Sequence, residues 1–201
     1  MDIAEFFETY VFGWMCEDIE RELRWAMEGK PAGNALCALG LLSYTEFMAT
    51  LLPATRRPTG GARQHFDAFF RELGGPYADL IDKQGINVYD IFRSGLAHEY
   101  FVKGNCTVAM LNSSPGNLEV KGSWNLSITP PSRSASVFVA KPADCGVGVA
   151  GNGSYYFIVE KYYEDFRGAC EKLLTELLAA QHPPVAPASY PPMSSSDGSP
   201  Y

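Results

Sequence analysis

The sequence predicts an α+β fold that is mainly helical, in which an antiparallel β insertion interrupts a helical bundle before its last helix. Apolar residues recur at intervals of three and four within the predicted helices of residues 1–103 and again over residues 160–181. The segment between them, residues 104–159, has short β-rich runs separated by clusters of Gly, Pro, Ser and Asn. A length of 201 residues with 46% hydrophobic residues suits one domain with a substantial core. We therefore expect a single domain over residues 1–181.

Two long helices are predicted at the beginning of the chain. The first covers residues 2–28 and ends at Gly29. The second covers about residues 32–52, because Pro31 suits the first turn of a helix and Pro53 halts one. The second helix is apolar nearly all round, which predicts a central position in the bundle.

Three further helical segments follow a loop rich in Arg, Pro and Gly. They are predicted over residues 62–73, over residues 77–83 as one or two turns, and over residues 88–101. The predicted buried side of the first of these consists of Phe66, Phe69, Phe70 and Leu73. Asn87 with Asp90 three residues later resembles a capping box at the start of the last of these. Its predicted core-facing positions are Val88, Ile91, Phe92, Gly95 and Leu96.

The β-rich segment predicts four strands joined as antiparallel hairpins, over residues 106–111, 118–124, 136–140 and 155–160. Residues 146–151 match the dinucleotide-binding pattern G-x-G-x-x-G, but a strand is predicted after them instead of the helix that would face a pyrophosphate. A glycine-rich hairpin loop is the better interpretation. The returning helix covers residues 160–181, and residues 182–201, rich in Pro and Ser, predict a disordered tail.

The charge balance argues against a broad surface for nucleic acids. A formal net charge of −7 and an isoelectric point near 5.0 give no overall basic field that would attract polyanions. Binding would need a local patch. Four arginines are candidates for such a patch, although they also fit an ordinary solvated surface. They are Arg56, Arg57, Arg63 and Arg71.

Neither a metal nor a cofactor is predicted, and the expected location is the cytoplasm. The five cysteines are scattered without a Cys-x-x-Cys pair, which favours reduced thiols in the core. His65, His98 and His182 lack the spacing of metal ligands. The N-terminus lacks the basic and apolar regions of a signal peptide, and no uninterrupted apolar stretch predicts a transmembrane span.

The strongest candidates for chemistry are Arg93 and His98. Guanidinium donates two hydrogen bonds to a phosphate, and imidazole exchanges a proton near neutral pH, so the pair can support phosphodiester cleavage without a metal. At about 100° per residue of an α-helix the two side chains lie about 140° apart and flank one side of the helix. Asp90 and Ser94 share a stripe with His98 at steps of four, where either one can orient the imidazole.

Glu46 is an acid within the otherwise apolar second helix and needs a partner if it is buried. Arg93 is the expected partner. A direct ion pair would occupy the donors of the arginine inside the monomer and would favour a structural role over a catalytic one. Tyr44 and Tyr100 are expected near the pair, although aromatic residues at such spacings also fit a core.

The segment Ile-Phe-Arg93-Ser-Gly-Leu-Ala-His98-Glu-Tyr-Phe, late in a helical bundle, resembles the signature of the HEPN (higher eukaryotes and prokaryotes nucleotide-binding) superfamily. The resemblance covers about the first hundred residues and the returning helix, with the β-rich segment as an insertion. It implies a metal-independent endoribonuclease whose Arg and His meet their symmetry mates across a homodimer. By this resemblance Arg93 would bind the phosphate, and His98 would act as acid or base or position the ribose hydroxyl. Many such proteins are toxins, which implies an antitoxin-like protein partner.

Ser94 stands where catalytic members of that superfamily commonly have Asn, Asp or His. Other members keep the bundle as a noncatalytic module. Two functions therefore follow: an endoribonuclease using Arg93 and His98, supported by Ser94, Asp90, Glu46 and Tyr100, or a noncatalytic module that binds RNA, a nucleotide or a protein. In the noncatalytic module, Arg93 would be a structural ion-pair partner.

Overall fold

The computed structural model describes residues 1–28, 30, 32–99, 106–111, 120–121, 145–149 and 155–180. The predicted strand at 136–140, the tail at 182–201 and the supporting residue Tyr100 lie outside these ranges. Within them the protein is mainly helical and contains one small β-sheet, so the predicted α+β class is confirmed.

The first predicted helix is continuous over residues 3–27 and is here named α1. It consists of the segments Ile3–Phe6, Phe7–Cys16 and Glu17–Met27, of which the middle one is π-helical. Asp2 Oδ1 caps its start by accepting a hydrogen bond of 2.8 Å from the backbone N–H of Glu5.

The remaining helices follow the predicted order, with boundaries that differ by a few residues, whereas strand β3 lies in a segment that was predicted as a loop. The helices are α2 (Asn34–Met48, extended by the 3₁₀ turn Ala49–Leu51), α3 (Ala62–Glu72), α4 (Gly75–Asp82), α5 (Tyr89–Glu99) and α6 (Val159–Ala180). The strands are β1 (Cys106–Leu111), β2 (Val120–Lys121), β3 (Val147–Val149) and β4 (Tyr155–Ile158).

Helix α2 occupies the centre of the bundle, as its apolar sequence predicts. It contacts α1, α3, α5, α6 and β1. Its buried Thr45 hydroxyl donates to the Leu41 carbonyl at 2.8 Å and lies 2.8 Å from the Tyr162 hydroxyl of α6. Because the hydroxyl hydrogen of Thr45 is already used, Tyr162 is the donor in the second bond. Both buried hydroxyl groups are thereby satisfied.

Helix α3 buries the predicted apolar face, since Phe66, Phe69 and Phe70 have no exposed surface. Beside it, the buried Tyr77 of α4 links three parts of the chain. Its hydroxyl donates to Asp165 Oδ2 of α6 at 2.6 Å and accepts from the backbone N–H of Gly146 at 2.7 Å. This one phenol group therefore holds α4, α6 and the segment before β3 together.

The four-stranded sheet has the order β2-β1-β4-β3. The pairs β1/β2 and β3/β4 are antiparallel, whereas β1 and β4 are parallel, with Cys106 opposite Tyr155. The prediction of antiparallel hairpins is therefore wrong for the central pair. A parallel pair needs a connection of a dozen or more residues, and residues 112–154 provide it. The Asn34 side chain donates to the Val108 carbonyl at 2.9 Å and so attaches β1 to α2.

The glycine-rich segment predicted as a hairpin loop contains strand β3. A methyl group on Gly146 would lie 2.7 Å from Cα of Tyr162, and one on Gly148 would lie 2.5 Å from Cζ of the Tyr156 ring. Gly146 is therefore needed for the close approach of the α6 backbone, whereas Gly148 meets only the outer end of a side chain. Strand β4 follows in the chain, so the dinucleotide pattern lacks its helix.

Within the described ranges, every helix is too short or too polar to cross a lipid bilayer.

Candidate functional site

The helix that carries Arg93 and His98 begins as predicted but is wound differently. Asn87 Oδ1 accepts a hydrogen bond of 3.1 Å from the backbone N–H of Asp90, which caps the helix start. Val88, Phe92, Gly95 and Leu96 are buried, as predicted, whereas Ile91 is half-buried.

The hydrogen bonding of α5 is π-helical and joins residue i with residue i+5. Side chains five positions apart therefore lie on the same side of α5. The predicted separation of about 140° between Arg93 and His98 is wrong, because it assumed α-helical winding. The His98 side chain is exposed, and Arg93 is half-buried.

Arg93 forms the ion pair with Glu46 that the sequence predicts. Its Nε donates to Glu46 Oε2 at 3.1 Å. The two side chains are 21% and 24% exposed, so the pair is not sealed in the core. Among the described residues, Nη1 and Nη2 of Arg93 have no acceptor. The pair fixes the guanidinium through one nitrogen and leaves two nitrogens for another group.

Arg93 and Glu46 lie in the wall of an open cavity of about 510 Å³. Three elements form this wall: α2 with its 3₁₀ turn, the beginning of α3 and the middle of α5. The lining residues are Ser43, Glu46, Phe47, Thr50, Gly60, Gly61, Ala62, His65 and Arg93.

His65 belongs to this cavity, although the sequence did not single it out for chemistry. Its Nδ1 lies 3.1 Å from the Gly61 carbonyl oxygen. Because a carbonyl oxygen only accepts, Nδ1 carries the hydrogen, and Nε2 is the nitrogen that can accept or transfer a proton.

The beginning of α3 contributes backbone donors to the same wall. Its N-cap residue, Gly61, provides no side-chain acceptor for the first turn. The first N–H groups of a helix lack intrahelical partners and, together with the helix dipole, favour an anion. The negative charge of Glu46 disfavours an anion in the cavity. Its ion pair with Arg93 offsets this effect.

The other predicted site residues are placed elsewhere. His98, Ser94 and Asp90 of α5 are not among the lining residues of the cavity. Tyr44 packs against Phe166 of α6, with ring centroids 6.4 Å apart. The structure thus brings together Arg93, Glu46 and the unpredicted His65 in the cavity wall, whereas His98 does not line the cavity.

The four arginines considered as a nucleic-acid patch each have an acceptor, which favours the solvated-surface interpretation. The hydrogen bond from Arg71 also holds the pKa of Asp82 below its ordinary value. The acceptors are Glu72 and Glu176 for Arg56, the Leu52 carbonyl for Arg57, Asp67 for Arg63 and Asp82 for Arg71.

The five cysteines are all buried, in agreement with a role as core residues. Burial, with the carboxylates of Glu22 and Glu160, raises the pKa of Cys37 to about 12. This thiol therefore stays protonated at neutral pH and is a poor nucleophile or metal ligand. The described part of the chain contains no group of three or more His, Cys, Asp or Glu side chains arranged to hold a metal ion.

No protein-family model, curated protein or solved structure matches this chain. Its function is therefore inferred from the residues of the cavity.

Proposed function

We propose that this chain is a HEPN-like protein that binds the phosphate group of a nucleotide unit, alone or within RNA, in the cavity around Arg93. The observation that carries the proposal is the location of the Arg93–Glu46 pair in the wall of an open cavity instead of in the closed core. An ion pair that served only to hold the bundle together would not need to lie in the wall of an open cavity.

The geometry of Arg93 suits a phosphate ligand. Glu46 holds the guanidinium through Nε, at 3.1 Å, and so reduces the conformational entropy that the side chain loses when a ligand binds. The two terminal nitrogens then provide the fork of donors that matches two phosphate oxygens. In this role the ion pair positions the arginine and does not compete with the ligand.

The other lining groups support a nucleotide in preference to a bare phosphate ion. A volume of about 510 Å³ lies within the usual range of small-molecule sites. The N-terminal turn of α3 adds backbone donors, and the Phe47 ring offers an apolar surface. Glu46 Oε1 is available to accept a hydrogen bond from a ribose hydroxyl.

The proposal is tested by the affinity of the purified protein for a fluorescein-labelled RNA decamer and for adenosine monophosphate, measured by fluorescence polarisation and calorimetry. Arg93→Lys keeps the charge but loses the planar fork, so we expect it to weaken binding at least tenfold. Arg71→Lys is the matched control, because it makes the same change at an arginine outside the cavity that pairs with Asp82. Equal affinity of the two variants, or no binding at millimolar ligand, would contradict the proposal.

A second candidate is the endoribonuclease that the HEPN resemblance implies, with Arg93 and His98 acting at a homodimer cleft. The π-helical winding of α5 favours it, because residues five apart lie on one side and His98 is exposed. It requires a dimer in which α5 faces its symmetry mate, and an antitoxin-like partner would cover that cleft. Sedimentation equilibrium tests the dimer, and a monomer at all concentrations that support activity would exclude this arrangement.

A further inference from the structure

The first half of α1 carries three aromatic side chains in a row, here named the aromatic ladder. The ring centroids of Phe6 and Tyr10 lie 5.2 Å apart, and those of Tyr10 and Trp14 lie 4.7 Å apart. Phe6 packs against the core, Tyr10 is half-buried and Trp14 is 64% exposed, so the ladder extends from the core into solvent. An exposed row of large aromatic rings is typical of a surface that binds a partner.

We propose that the aromatic ladder binds a proline-rich peptide and that its occupant is residues 183–192 of the same chain. These residues read Pro-Pro-Val-Ala-Pro-Ala-Ser-Tyr-Pro-Pro, with five prolines in ten positions. They belong to the tail that follows α6 and lie outside the described ranges. The proposal concerns a surface remote in sequence from the cavity residues and adds an interaction to the binding of phosphate.

The side chains of the ladder suit a polyproline II helix. Proline-rich segments in this conformation dock into grooves lined by aromatic rings, and the preformed helix loses little entropy on binding. A polyproline II helix has no internal hydrogen bonds, so its carbonyl oxygens can accept from a partner. The Tyr10 hydroxyl and Trp14 Nε1 are suitable donors. Neither has a hydrogen-bond partner among the described residues.

The charges around the ladder also favour this segment. Glu5, Glu8 and Glu17 are exposed on the same part of α1. Residues 183–192 contain no charged side chain. The segment can therefore approach the ladder without repulsion, whereas these carboxylates disfavour an acidic peptide or a nucleic acid.

Helix α6 leads towards the ladder because it packs antiparallel to α1. The guanidinium of Arg167 lies 5.8 Å from the centre of the Phe12 ring. One turn earlier in α6, Tyr163 donates to Glu20, which lies two turns later in α1. The segment Ile3–Phe6 of α1 also contacts α6. The last turns of α6 therefore lie beside the start of α1, where the ladder begins.

The proposed occupant is long enough to cover the ladder. Phe6 and Trp14 are at most about 12 Å apart along α1, at a rise of about 1.5 Å per residue. Ten residues of a polyproline II helix span about 28 Å, at about 3.1 Å per residue, which leaves length for the chain to reverse direction after α6. The short connection gives an effective concentration on the order of 1 mM. A segment that binds as a free peptide with a Kd of about 100 μM would then be docked in about nine molecules of ten.

The test measures the affinity of the full chain for a fluorescein-labelled peptide of residues 183–192, by fluorescence polarisation. In the wild-type protein the chain's own segment competes with the peptide. Serine at all five prolines of the segment removes this competition, so we expect the peptide to bind this serine variant about tenfold more tightly than the wild type. The matched control has Ser194→Gly, Ser195→Gly and Ser196→Gly in the same tail, and its affinity should equal that of the wild type.

Two further substitutions, each introduced into the serine variant, locate the binding surface. Trp14→Ala should weaken peptide binding at least tenfold, because it removes the most exposed ring of the ladder. Trp25→Ala is the matched control, since Trp25 is also exposed on α1 but packs beside Arg21 outside the ladder. Thermal melting followed by circular dichroism checks that both proteins are folded.

Each contrary outcome overturns a defined part of the proposal. Equal peptide affinity in the wild type and the serine variant would overturn docking of the chain's own segment. Equal peptide affinity in Trp14→Ala and Trp25→Ala would overturn the ladder as the binding surface. Dimers in sedimentation equilibrium that persist in the serine variant and dissociate in Trp14→Ala would assign the ladder to contact between two copies of the chain, against the proposal. None of these measurements depends on phosphate binding in the cavity.

Discussion

Replacing Glu46 and Arg93 by alanine, singly and together, measures how strongly their ion pair stabilises the bundle. At the observed 3.1 Å, and with an effective dielectric constant of about 20, the Coulomb attraction is about 5 kcal/mol. Removal of both groups from water and the ordering of two long side chains offset most of this attraction.

The exposure of the two side chains sets the expected net value. At 21% and 24% exposed, the pair lies between surface pairs, which contribute at most about 1 kcal/mol, and buried pairs, whose disruption costs about 3–5 kcal/mol. We therefore expect each single variant to lose about 2 kcal/mol of unfolding free energy. The coupling energy of the double-mutant cycle should be about 1–2 kcal/mol.

The assay is urea denaturation of the wild-type protein and the three variants, followed by circular dichroism at fixed pH and low salt. A coupling energy near zero would mean that Glu46 does not hold the guanidinium, and the positioning of Arg93 for a phosphate would lose its basis. A coupling energy of about 4 kcal/mol would be typical of an ion pair that mainly stabilises a closed core. It would contradict the role of Arg93 in binding a phosphate in the cavity.

Four further results are expected from the core. Tyr77→Phe leaves the buried N–H of Gly146 without its acceptor and should cost about 2–4 kcal/mol of unfolding free energy in urea. Tyr162→Phe removes one neutral hydrogen bond and should cost about 1 kcal/mol, so equal losses in the two variants would refute this ranking. Gly146→Ala forces a methyl group to within 2.7 Å of the α6 backbone, and a loss of about 3 kcal/mol is expected in the same titration. Because the pKa of Cys37 rises from 9.0 to about 12 in the folded protein, its contribution to stability is complete below pH 9 and falls as the pH rises towards 12. Unfolding titrations at pH 8 and pH 10 check this, and Cys37→Ala should show a smaller decrease between them.

Local sequence patterns predicted the helices because each of them buries one repeating face. Phe66, Phe69 and Phe70 illustrate this, since their spacing alone placed them on the core side of α3. The Arg93–Glu46 pair was also predictable, because a charge in an apolar helix needs a partner. Polarity and periodicity were sufficient for these features.

The π-helical winding of α5 and the parallel pairing of β1 with β4 were not predictable in this way. The π-helical winding changes which side chains lie on the same side of α5 without changing the apolar pattern of the sequence. The parallel pairing places Cys106 opposite Tyr155 although a long connection lies between them. Both depend on tertiary packing.

The position of His65 in the cavity depends on the loop that brings the start of α3 against α2. One pattern in the sequence indicated a polar site beside α2. Ser43, Glu46 and Thr50 recur at three and four along the apolar α2 and form a polar stripe that must face something other than the core.

Helix α6 is synthesised after the other described elements, yet its Tyr162, Phe166 and Cys170 are buried at the centre of the molecule. A nascent chain that has emerged only as far as α5 exposes the partner surfaces on α2 and α3, including Phe69, whose ring lies 6.0 Å from that of Phe166. Strand β1 also cannot pair with β4 until β4, which leads directly into α6, has been synthesised. The surfaces of α2 and α3 that pack against α6 therefore stay uncovered until α6 has been synthesised, although every residue that lines the cavity precedes α6 in the chain. Exposed apolar surface of this kind makes a partly synthesised chain prone to aggregation.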